Sequence, residues 1–478
     1  MNTPIVSLLG AAAALALALP AAAQSVTHAS FVNGLALDGA TLDLSSASAF
    51  DRRVGFFSDI YYDRSRNEWW GLSDRGPGGG TLPYETRAQR FSIDIAANGA
   101  ISNFQVKQTV LLSSNGLPLD GKAPATPSKL GLSFDPEGMV VNPSNGHLLI
   151  SDEYGPSLYE FNRSGQLVRQ YATPSNLVPR TASGVNYNAT PTAAVDPLIS
   201  GREGNRGMEG LAISPDGKFA YGMMQNGSIE DGWSSANRGQ YTRIVKYDTA
   251  NGAAVAQYAY KLESSGQGRG ISAIVALGND KFLVLERNNR GIGVGATLAN
   301  PDKNVYEIDL AGAIDVTGMA LPASGDFAGA VIKIAKVMDL DADTLAALGN
   351  RSPEKWEGLA IGPQLANGQY LILAGTDNDY SVTQNGSNVQ FDVYFRMTDA
   401  DPYKSSIQCA VGTTSDCFFT DGGALTELPA SDYTLLPGVL HAYTASIDGY
   451  TAPVPEPSTP ALILAGLGAL GWVARRRR

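Results

Sequence analysis

Acidic residues recur at the start of short apolar segments in this sequence, at positions where they can act together. Glu137, Glu209 and Glu357 are each followed by glycine and an apolar run, in FDPEGMVVNP, NRGMEGLAIS and EKWEGLAIGP. Degenerate copies begin at Asp59 and at Ser272, so the five positions are 63 to 85 residues apart. A long period of this kind indicates repeated structural units, each of which presents one polar residue at the same place.

A second set of polar residues closes the apolar segment that follows each of these runs. After Glu137, the segment LLIS leads to Asp152 and Glu153. After Glu357, a longer turn leads to Asp377. Because a hairpin runs out and back, the residue that opens its first strand and the residue that closes its second strand lie at the same end. We therefore expect these carboxylates to converge on one face of the molecule.

Carboxylates held this close repel one another and need shared protons or a cation. Calcium is the cation we predict, because it accepts about six to eight oxygen ligands in flexible geometry, whereas magnesium demands a strict octahedron. The predicted metal ligands are Glu137, Asp152, Glu153, Glu209, Glu357 and Asp377. The predicted catalytic carboxylates are Glu137, Asp152, Glu209 and Glu357.

Basic residues flank the same positions. Arg206 and Lys355 precede their glutamates, whereas Arg75 and Arg287 follow the ends of second strands. An arginine fork binds phosphate or carboxylate in a bidentate manner, so we predict that these four residues bind an anionic substrate. A metal between carboxylates with arginines outside it is a common plan for the hydrolysis of phosphate esters. The alternative is structural: the same charges pair between repeats and only hold them together.

The elements that must position these residues are short β-strands. Segments such as HLLISDEY, KFLVLERN and QYLILAGT are rich in β-branched and aromatic residues, and turns such as PSNG and PDGK separate them. The pattern predicts an all-β fold over residues 24–452, with one short helix at 339–348. Four-stranded blades arranged as a β-propeller fit the long period.

Six blades are predicted, with five and seven as alternatives. Five follow from the repeats. The sixth is expected from the chain ends, with THASFVNGLAL beside FDVYFRM and VLHAYTAS. Closing the ring with strands from both termini would leave no open sheet edge.

Both ends of the chain carry processing segments. Residues 1–23 combine an apolar run with a small-residue cleavage site, which is typical of an export signal peptide. Residues 453–478 contain VPEP, an apolar run at 461–474 and four final arginines. A helix over that run would be about 21 Å long, short of a hydrocarbon core of roughly 30 Å. A weak transmembrane segment is the simplest interpretation of the run by itself.

The order of these three parts resembles the PEP-CTERM sorting signal of Gram-negative bacteria. The resemblance implies that a sorting protease removes the tail and that the protein passes through the periplasm to the cell surface or the medium. The chain would then meet a membrane only through this segment, before processing. Export also places Cys409 and Cys417, eight positions apart, in an oxidising compartment, where we expect a local disulfide.

Composition excludes several other functions. The net charge is −11 and no basic stripe runs along the chain, so nucleic acid is not an expected partner. The three histidines lie far apart and no Arg-His-Gly motif occurs, which argues against a histidine acid phosphatase. The Gly-x-Ser-x-Gly elbow of α/β-hydrolases and the ligand spacing of thiolate zinc sites are also absent.

Six segments resemble, in order over about residues 50–400, the phytase-like family, also described by the esterase-like activity of phytase. They are LSDRGPGG, DPEGMVV, SDEYGPSLYEFNRSGQLVRQY, NRGMEGLAISPDGK, LVLERNNRG and the pair KWEGLAI and GTDNDYS. The resemblance implies a propeller fold and hydrolysis of esters, with phytate among the candidate substrates. The family's motif positions fall on Asp74, Arg75, Glu137, Asp152, Glu153, Arg206, Glu209, Glu286, Arg287, Glu357, Asp377 and Asp379.

The sequence therefore predicts an exported, metal-dependent hydrolase of small-molecule phosphate or other esters, with its site at the mouth of the propeller channel. A calcium-dependent, lactonase-type esterase is a variant of this hypothesis. The alternative from a different class is a non-catalytic propeller at the cell surface that binds matrix polysaccharide or another protein. Turnover that chelation abolishes would favour the hydrolase, whereas glycan binding that survives chelation would favour the binding protein.

Overall fold

β-Strands make up nearly all of the regular structure, because β-branched and aromatic segments alternate with turns of Gly, Asn and Asp. The computed structural model describes residues 24–46, 52–232, 238–264, 266, 268–384, 389–425 and 432–454. The predicted signal peptide lies outside the described residues, as does nearly all of the predicted sorting tail. The all-β prediction is confirmed.

The first half of the chain forms two four-stranded antiparallel sheets and two short ribbons. The N-terminal strand is β1 (Val26–Leu37), and the first sheet is formed by β2 (Asp59–Asp63), β3 (Glu68–Leu72), β4 (Arg87–Ile95) and β5 (Ile101–Leu111). A ribbon follows, formed by β6 (Ser113–Ser114) and β7 (Leu117–Pro118). The second sheet is formed by β8 (Pro136–Val141), β9 (Leu148–Asp152), β10 (Ser157–Phe161) and β11 (Leu167–Gln170). The second ribbon is formed by β12 (Arg180–Thr181) and β13 (Gly184–Val185).

The rest of the described chain forms three further four-stranded sheets and an inserted sheet. The third sheet is formed by β14 (Met208–Ile213), β15 (Phe219–Met224), β16 (Tyr241–Asp248) and β17 (Ala253–Lys261). The fourth is formed by β18 (Gly270–Gly278), β19 (Lys281–Arg287), β20 (Lys303–Asp309) and β21 (Ile332–Asp339). The fifth begins with β22 (Trp356–Gln364) and β23 (Tyr370–Thr376). The inserted sheet follows, formed by β24 (Val382–Gln384), β25 (Gln390–Phe395), β26 (Ile407–Ala410), β27 (Phe418–Phe419) and β28 (Thr434–Leu435). The last strand, β29 (Gly438–Ile447), returns to the fifth sheet.

The five four-stranded sheets are arranged around their first strands. β2 contacts β8, β8 contacts β14, β14 contacts β18, β18 contacts β22, and β22 contacts β2. Sheets that surround a shared centre with their first strands innermost have a β-propeller-like arrangement. The five repeat positions of the sequence all lie in these first strands, near the end where each strand begins.

The prediction that the chain ends form a sixth blade is corrected by the pairing of the terminal strands. β1 pairs with β29 and β29 pairs with β23, so the fifth sheet contains strands from both termini. The FDVYFRM segment is β25 and belongs to the inserted sheet instead. The physical reason is that only two strands of the fifth sheet are consecutive in the chain before the insertion. The terminal strands supply its other two, and the described residues therefore contain five sheets of this kind.

Two local predictions have clear outcomes. The segment 339–348, predicted as a short helix, ends strand β21 and then forms a single 3₁₀ turn at Ala346–Leu348. Cys409 and Cys417 are joined by a disulfide of 2.05 Å in the insertion. None of the helices among the described residues is long and apolar enough to cross a membrane.

The hydrophobic core lies between neighbouring sheets. Between the first and second sheets, Trp70 packs in a buried cluster with Met139, Ile150 and Phe161. Burial of one large apolar side chain contributes about 1.5–3 kcal/mol. Packing of this kind fixes the first strands relative to one another and so fixes the polar residues at their ends.

Candidate functional site

Four of the five repeat positions lie on irregularities at the start of the first strand. The pairing register between first and second strands is interrupted at Glu137, Glu209, Ser272 and Glu357. A residue left unpaired in a β-bulge turns its side chain out of the regular alternation, and bulges often re-aim side chains beside active sites. The repeated motif therefore marks a bulge that takes one polar side chain out of the regular alternation of the strand.

The glycines that follow Glu137 and Glu209 are required because the backbones of neighbouring first strands approach closely. A Cβ atom on Gly138 would lie 2.6 Å from the backbone oxygen of Glu209. A Cβ atom on Gly210 would lie 2.8 Å from the backbone nitrogen of Ile274. Non-bonded carbon contacts are ordinarily about 3.5–4.0 Å, so only glycine fits. The Glu-Gly pair thus combines a polar side chain on a bulge with a backbone that admits the neighbouring strand.

Three carboxylates at the end of the second sheet form the group best suited to a metal. One oxygen from each of Asp135, Glu137 and Glu153 lies within 4.8 Å of the others. Glu153 accepts the backbone N–H of Gly207 at 3.3 Å, whereas the carboxyl group of Glu137 has no hydrogen-bond partner among the described residues. The sequence prediction included Glu137 and Glu153 but missed Asp135. The signal that could have found it is its place two residues before Glu137 in FDPEG.

Asp152 lies beside this group but uses both carboxylate oxygens within the fold. Oδ1 accepts the backbone N–H groups of Asp135 at 2.9 Å and Tyr154 at 3.1 Å, and Oδ2 accepts that of Gly155 at 2.9 Å. Burial raises the pKa of Asp152 to about 7 against these hydrogen bonds. Successive side chains at a strand end point to opposite sides, so Glu153 rather than Asp152 joins the carboxylate group. The catalytic and metal-binding roles of Asp152 stay predictions, and the geometry favours Asp135 in its place.

Glu209 and Glu357 extend the carboxylate group across the end of the channel. Glu209 is only 4% exposed, and its carboxyl group has no hydrogen-bond partner among the described residues. Burial raises the pKa of Glu209 well above its usual range, and the charges of Glu153 and Glu357 raise it further against Arg287. Burial likewise raises the pKa of Glu137, reinforced by Glu209. These groups therefore take up protons or a cation far more readily than exposed carboxylates do.

Arg75 and Lys355 are paired with carboxylates of the protein itself. Arg75 Nη1 lies 2.7 Å from Asp135 Oδ2. Lys355 Nζ lies 2.7 Å from an oxygen of Asp377 and 2.6 Å from one of Asp379. Burial lowers the pKa of each base, but the neighbouring carboxylates raise it by more. Their charges are thus neutralised internally, which leaves these two residues poorly placed to capture a substrate anion.

Arg287 occupies the place of the carboxylate that the fourth repeat lacks. Its Nε donates to Ser272 Oγ at 2.8 Å, and its Nη2 lies 2.5 Å from Glu357 Oε1. Its Nη1 lies 3.5 Å from Glu354 Oε1. Burial lowers the pKa of Arg287, but Glu357 and Glu354 raise it to above the usual value. Serine at position 272 therefore leaves room for an arginine that holds the fourth and fifth sheets together.

Arg206 differs from the other three predicted basic residues. Its Nη1 donates to the neutral side-chain oxygen of Gln225 at 2.5 Å, and within the described ranges no carboxylate lies within 4.0 Å of its guanidinium. Burial lowers the pKa of Arg206, and the nearby charge of Arg238 lowers it further. The next residue, Gly207, donates to Glu153, which places Arg206 beside the metal-binding candidates. Arg206 is therefore a half-buried cation, and among the described residues no direct ion pair neutralises its charge.

A left-handed turn holds Asp379 beside Lys355. Asp379, Tyr380 and Ser381 have φ angles of 49°, 54° and 56°. The left-handed conformation costs about 1–2 kcal/mol for each residue other than glycine. The turn persists because the side chain of Asn378 accepts the backbone N–H of Tyr380 at 3.1 Å and packing buries Tyr380. Strain held in place by surrounding structure is common at functional sites.

These residues together form what we term the charged cluster, which carries more negative than positive groups. Its carboxylates are Asp74, Asp135, Glu137, Glu153, Glu209, Glu354, Glu357, Asp377 and Asp379, and its cations are Arg75, Arg206, Arg287 and Lys355. Nine carboxylates face four cations. Burial raises the pKa of Asp74 to about 7, and the charge of Asp377 adds to this effect. Burial also raises the pKa of Asp377 to about 7 against Lys355, and the charges of Asp379 and Glu357 add to this effect. Buried charge in this excess requires bound protons or a cation.

Away from the charged cluster the central channel is apolar and narrow. About 40 Å³ of free space lies between side chains of all five first strands, among them Ile60, Met139, Leu211, Ile274 and Leu359. Asp59, the first repeat position, accepts the backbone N–H of Met139 at 2.7 Å. Asp59 therefore joins two first strands in the channel wall, unlike the glutamates of the later repeats.

Comparison with known proteins gives two family matches. The Phytase-like family model, described as esterase-like activity of phytase, matches residues 52–380. The PEP-CTERM protein-sorting motif matches residues 453–478. An uncharacterized secreted protein of Arthroderma benhamiae is 25% identical over an alignment of 417 residues, and the match covers 68% of this chain and 80% of that relative. Both resemblances seen in the sequence are confirmed, and the sorting motif together with the secreted relative supports export.

The solved structures that match this chain superimpose on it poorly over their whole length. A chain of hydrazine synthase from Kuenenia stuttgartiensis has a TM-score of 0.28 at 12% identity, and the match covers 75% of this chain and 66% of that one, just under two thirds. A chain of the mitotic checkpoint complex has a TM-score of 0.26 at 10% identity, over 78% of this chain and 96% of that one. Scores this low say nothing about function.

Proposed function

Because this chain belongs to the Phytase-like family, we propose that it is an exported, metal-dependent hydrolase of phosphate or other esters and that the charged cluster is its active site. Family membership supports the class of reaction. The observation that carries the choice of site is the combination of buried, uncompensated carboxylates with one guanidinium that lacks a carboxylate partner. In this proposal the five four-stranded sheets are the blades of one ring, and the charged cluster lies at one mouth of its channel.

Calcium is the proposed metal, with Asp135, Glu137 and Glu153 as its ligands. Calcium binds oxygen ligands at about 2.3–2.6 Å, so two oxygens on one ion lie at most about 5 Å apart. The three carboxylate oxygens, which lie within 4.8 Å of one another, meet this condition. When bound, such an ion polarises the ester and activates water. The proposed set is limited to the residues whose oxygens meet this distance condition. The other ligands predicted from the sequence, Asp152, Glu209, Glu357 and Asp377, lie outside it.

The chain's own residues have distinct proposed roles. Arg206 binds the anionic part of the substrate, because its fork is free of carboxylates and matches a phosphate group. Glu209 holds the proton that is transferred to the leaving oxygen, because burial raises the pKa of Glu209 and so favours its protonated carboxyl group. Glu357 is hydrogen-bonded to Arg287 and positions that arginine. Arg75 and Lys355 hold the acidic side chains in place.

The test is a turnover screen of the mature protein with phenyl phosphate, phenyl acetate, an aryl lactone and phytate, in calcium or in chelator. We expect calcium-dependent hydrolysis of at least one ester, and a loss of roughly 10²–10⁴-fold in kcat for Glu209→Gln. Glu85→Gln is the matched control, because Glu85 is exposed and does not belong to the charged cluster. A folded protein that turns over none of these esters in calcium would reject the hydrolase in favour of a binding propeller.

Processing of the tail is proposed from the sorting motif at residues 453–478. A sorting protease removes this segment, and the protein reaches the surface of a Gram-negative cell or the medium. Mass spectrometry of the protein recovered from its native host checks both ends. A mature form that begins at Gln24 and ends near residue 452 is expected, and a form that retains the four final arginines would contradict it.

A further inference from the structure

A cleft beside the charged cluster has the features of a second binding subsite. It has a volume of about 390 Å³ and is lined by residues that include Arg290, Thr297, Glu354, Lys355 and Asp379. The last three of these residues belong to the charged cluster. The cleft is therefore continuous with the proposed active site and is large enough for a part of a substrate that extends beyond the reacting group.

Arg290 is a charged residue of this cleft that forms no ion pair with any described residue. Within the described part of the chain, no carboxylate lies within 4.0 Å of its guanidinium, and its buried Nε has no hydrogen-bond partner. The other charges of the cleft are already engaged: Lys355 pairs with Asp379 at 2.6 Å, and Glu354 lies 3.5 Å from Arg287. The guanidinium of Arg290 lines the cleft without a carboxylate partner among the described residues, so the cleft favours a ligand that accepts hydrogen bonds from it.

The cleft is held open by fixed backbone. Arg290 lies in the connection between β19 and β20, and this connection is bonded to the segment that precedes β22. Ile292 donates its backbone N–H to Ser352 at 2.8 Å and accepts that of Glu354 at 2.9 Å. The ammonium group of Lys303, which is fully buried, donates to the backbone oxygen of Arg290. A pre-organised cleft loses little conformational entropy when it binds a ligand.

We infer that the cleft around Arg290 binds a second anionic group of the substrate, at a distance from the ester that is hydrolysed. The inference rests on the proposed function, in which Arg206 binds the anion at the reacting group. A guanidinium without a partner favours a carboxylate or a phosphate, which it binds through two parallel hydrogen bonds. The preferred substrates are then esters with two anionic groups, and the cleft sets the separation between them.

Binding of substrate analogues that cannot be hydrolysed tests the subsite without turnover. Calorimetry in calcium would compare alkylphosphonates with ω-carboxyalkylphosphonates and α,ω-bisphosphonates of two to five methylene groups, a series whose lengths cover different separations. We expect at least one doubly anionic analogue to bind about 10- to 100-fold more tightly than the alkylphosphonate of the same length, as an added charged hydrogen bond predicts. Whether the carboxylate or the phosphonate end shows the larger gain identifies the anion that the cleft prefers.

Variants separate this subsite from the proposed active site. Arg290→Gln should abolish the advantage of the second anion and leave alkylphosphonate binding within about twofold, whereas Arg206→Gln should weaken both series. Arg180→Gln is the control, because it removes an exposed arginine that does not line the cleft. An advantage that persists in Arg290→Gln, or that no length shows, would overturn the subsite. Doubly anionic analogues that bind through Arg290 while alkylphosphonates do not bind would support the subsite and reject the role of Arg206. Failure of all analogues to bind the wild-type protein would reject both.

Discussion

Replacing Arg206 and Arg75 by glutamine, one at a time, separates substrate binding from structural support. Both residues are predicted anion-binding arginines, and the substitution removes the same charge from each. Arg75 lies 2.7 Å from Asp135 and 3.4 Å from Glu153, whereas Arg206 contacts the neutral side chain of Gln225. Arg75→Gln should therefore mainly lower stability, whereas Arg206→Gln should mainly impair catalysis.

The directions of the pKa shifts show whether each charge stabilises the folded state. Against the effect of burial, carboxylates raise the pKa of Arg75, so its charge stabilises the folded state. Breaking a buried ion pair by removing one partner costs about 3–5 kcal/mol, which is the expected loss for Arg75→Gln. Burial lowers the pKa of Arg206, so the fold disfavours its charge. Arg206→Gln should change the free energy of unfolding by about 1 kcal/mol or less, in either direction.

The effect on catalysis should be large for Arg206, whose effect on stability is small. An interaction with a charged group is worth about 1.5–3 kcal/mol, which predicts a loss of roughly 10- to 150-fold in kcat/KM for phenyl phosphate in Arg206→Gln. Arg206→Lys keeps the charge but not the fork, so it should recover only part of this loss. The kcat/KM for the neutral phenyl acetate should change by less than about threefold in Arg206→Gln and in Arg206→Lys.

Urea unfolding and steady-state kinetics on the two esters, both in calcium, measure these effects. Equal losses on phenyl phosphate and phenyl acetate would refute the assignment of Arg206 to the substrate anion. So would a loss of more than about 3 kcal/mol in the unfolding free energy of Arg206→Gln, since that magnitude is expected of a structural ion pair.

Three further predictions concern the metal, the pH dependence and the N-terminal strand. Calcium at 100 times its dissociation constant should stabilise the protein by about 2.7 kcal/mol. In a thermal unfolding titration, Glu137→Gln should reduce this stabilisation. A melting temperature that is the same in calcium and in chelator would contradict the metal site. In chelator, the free energy of unfolding should fall as pH rises from about 4 to above 7. Burial raises the pKa of Asp377 from 3.8 to about 7, so the folded protein binds a proton more tightly than the unfolded chain does. The stability that this proton contributes is lost across this pH window. Asp377→Asn should flatten this slope in urea titrations at successive pH values, and a stability that rises with pH in chelator would contradict the electrostatic account. Glu307→Ala should lower the free energy of unfolding by about 2–4 kcal/mol, because the buried carboxylate of Glu307 accepts the backbone N–H groups of Ser25 at 2.8 Å and Val26 at 2.9 Å. A decrease of less than about 0.5 kcal/mol in urea unfolding would show that these hydrogen bonds do not anchor β1.

Most of the sheet structure could be predicted from the sequence because hairpins are local. Strand, turn and second strand follow one another within about 25 residues, and the turn residues mark where each strand ends. The spacing between Glu137 and Glu153 was therefore enough to place both carboxyl groups at one end of a hairpin. The same local logic identified Glu209, Glu357 and Arg287 as members of a single face.

Pairings between distant segments could not be predicted in the same way. β1 and β29 are separated by about 400 residues of chain and pair because each completes the unfinished fifth sheet. No local pattern carries that information, so the expectation of a sixth blade failed while the expectation that both termini share a sheet agrees with the structure.

The sequence by itself determined that acidic and basic side chains meet at one end of a β-propeller-like ring, because the position of each residue in its hairpin is fixed by local alternation and turn chemistry. Only the tertiary structure decided which charges are neutralised. Arg75 reaches carboxylates 60 and 78 residues away, Asp152 turns its oxygens to backbone N–H groups, and Arg206 and Arg290 remain without carboxylate partners in the described residues. Ion pairing depends on distances of a few ångströms between separate sheets, and those distances are set by core packing, which no spacing along the chain records.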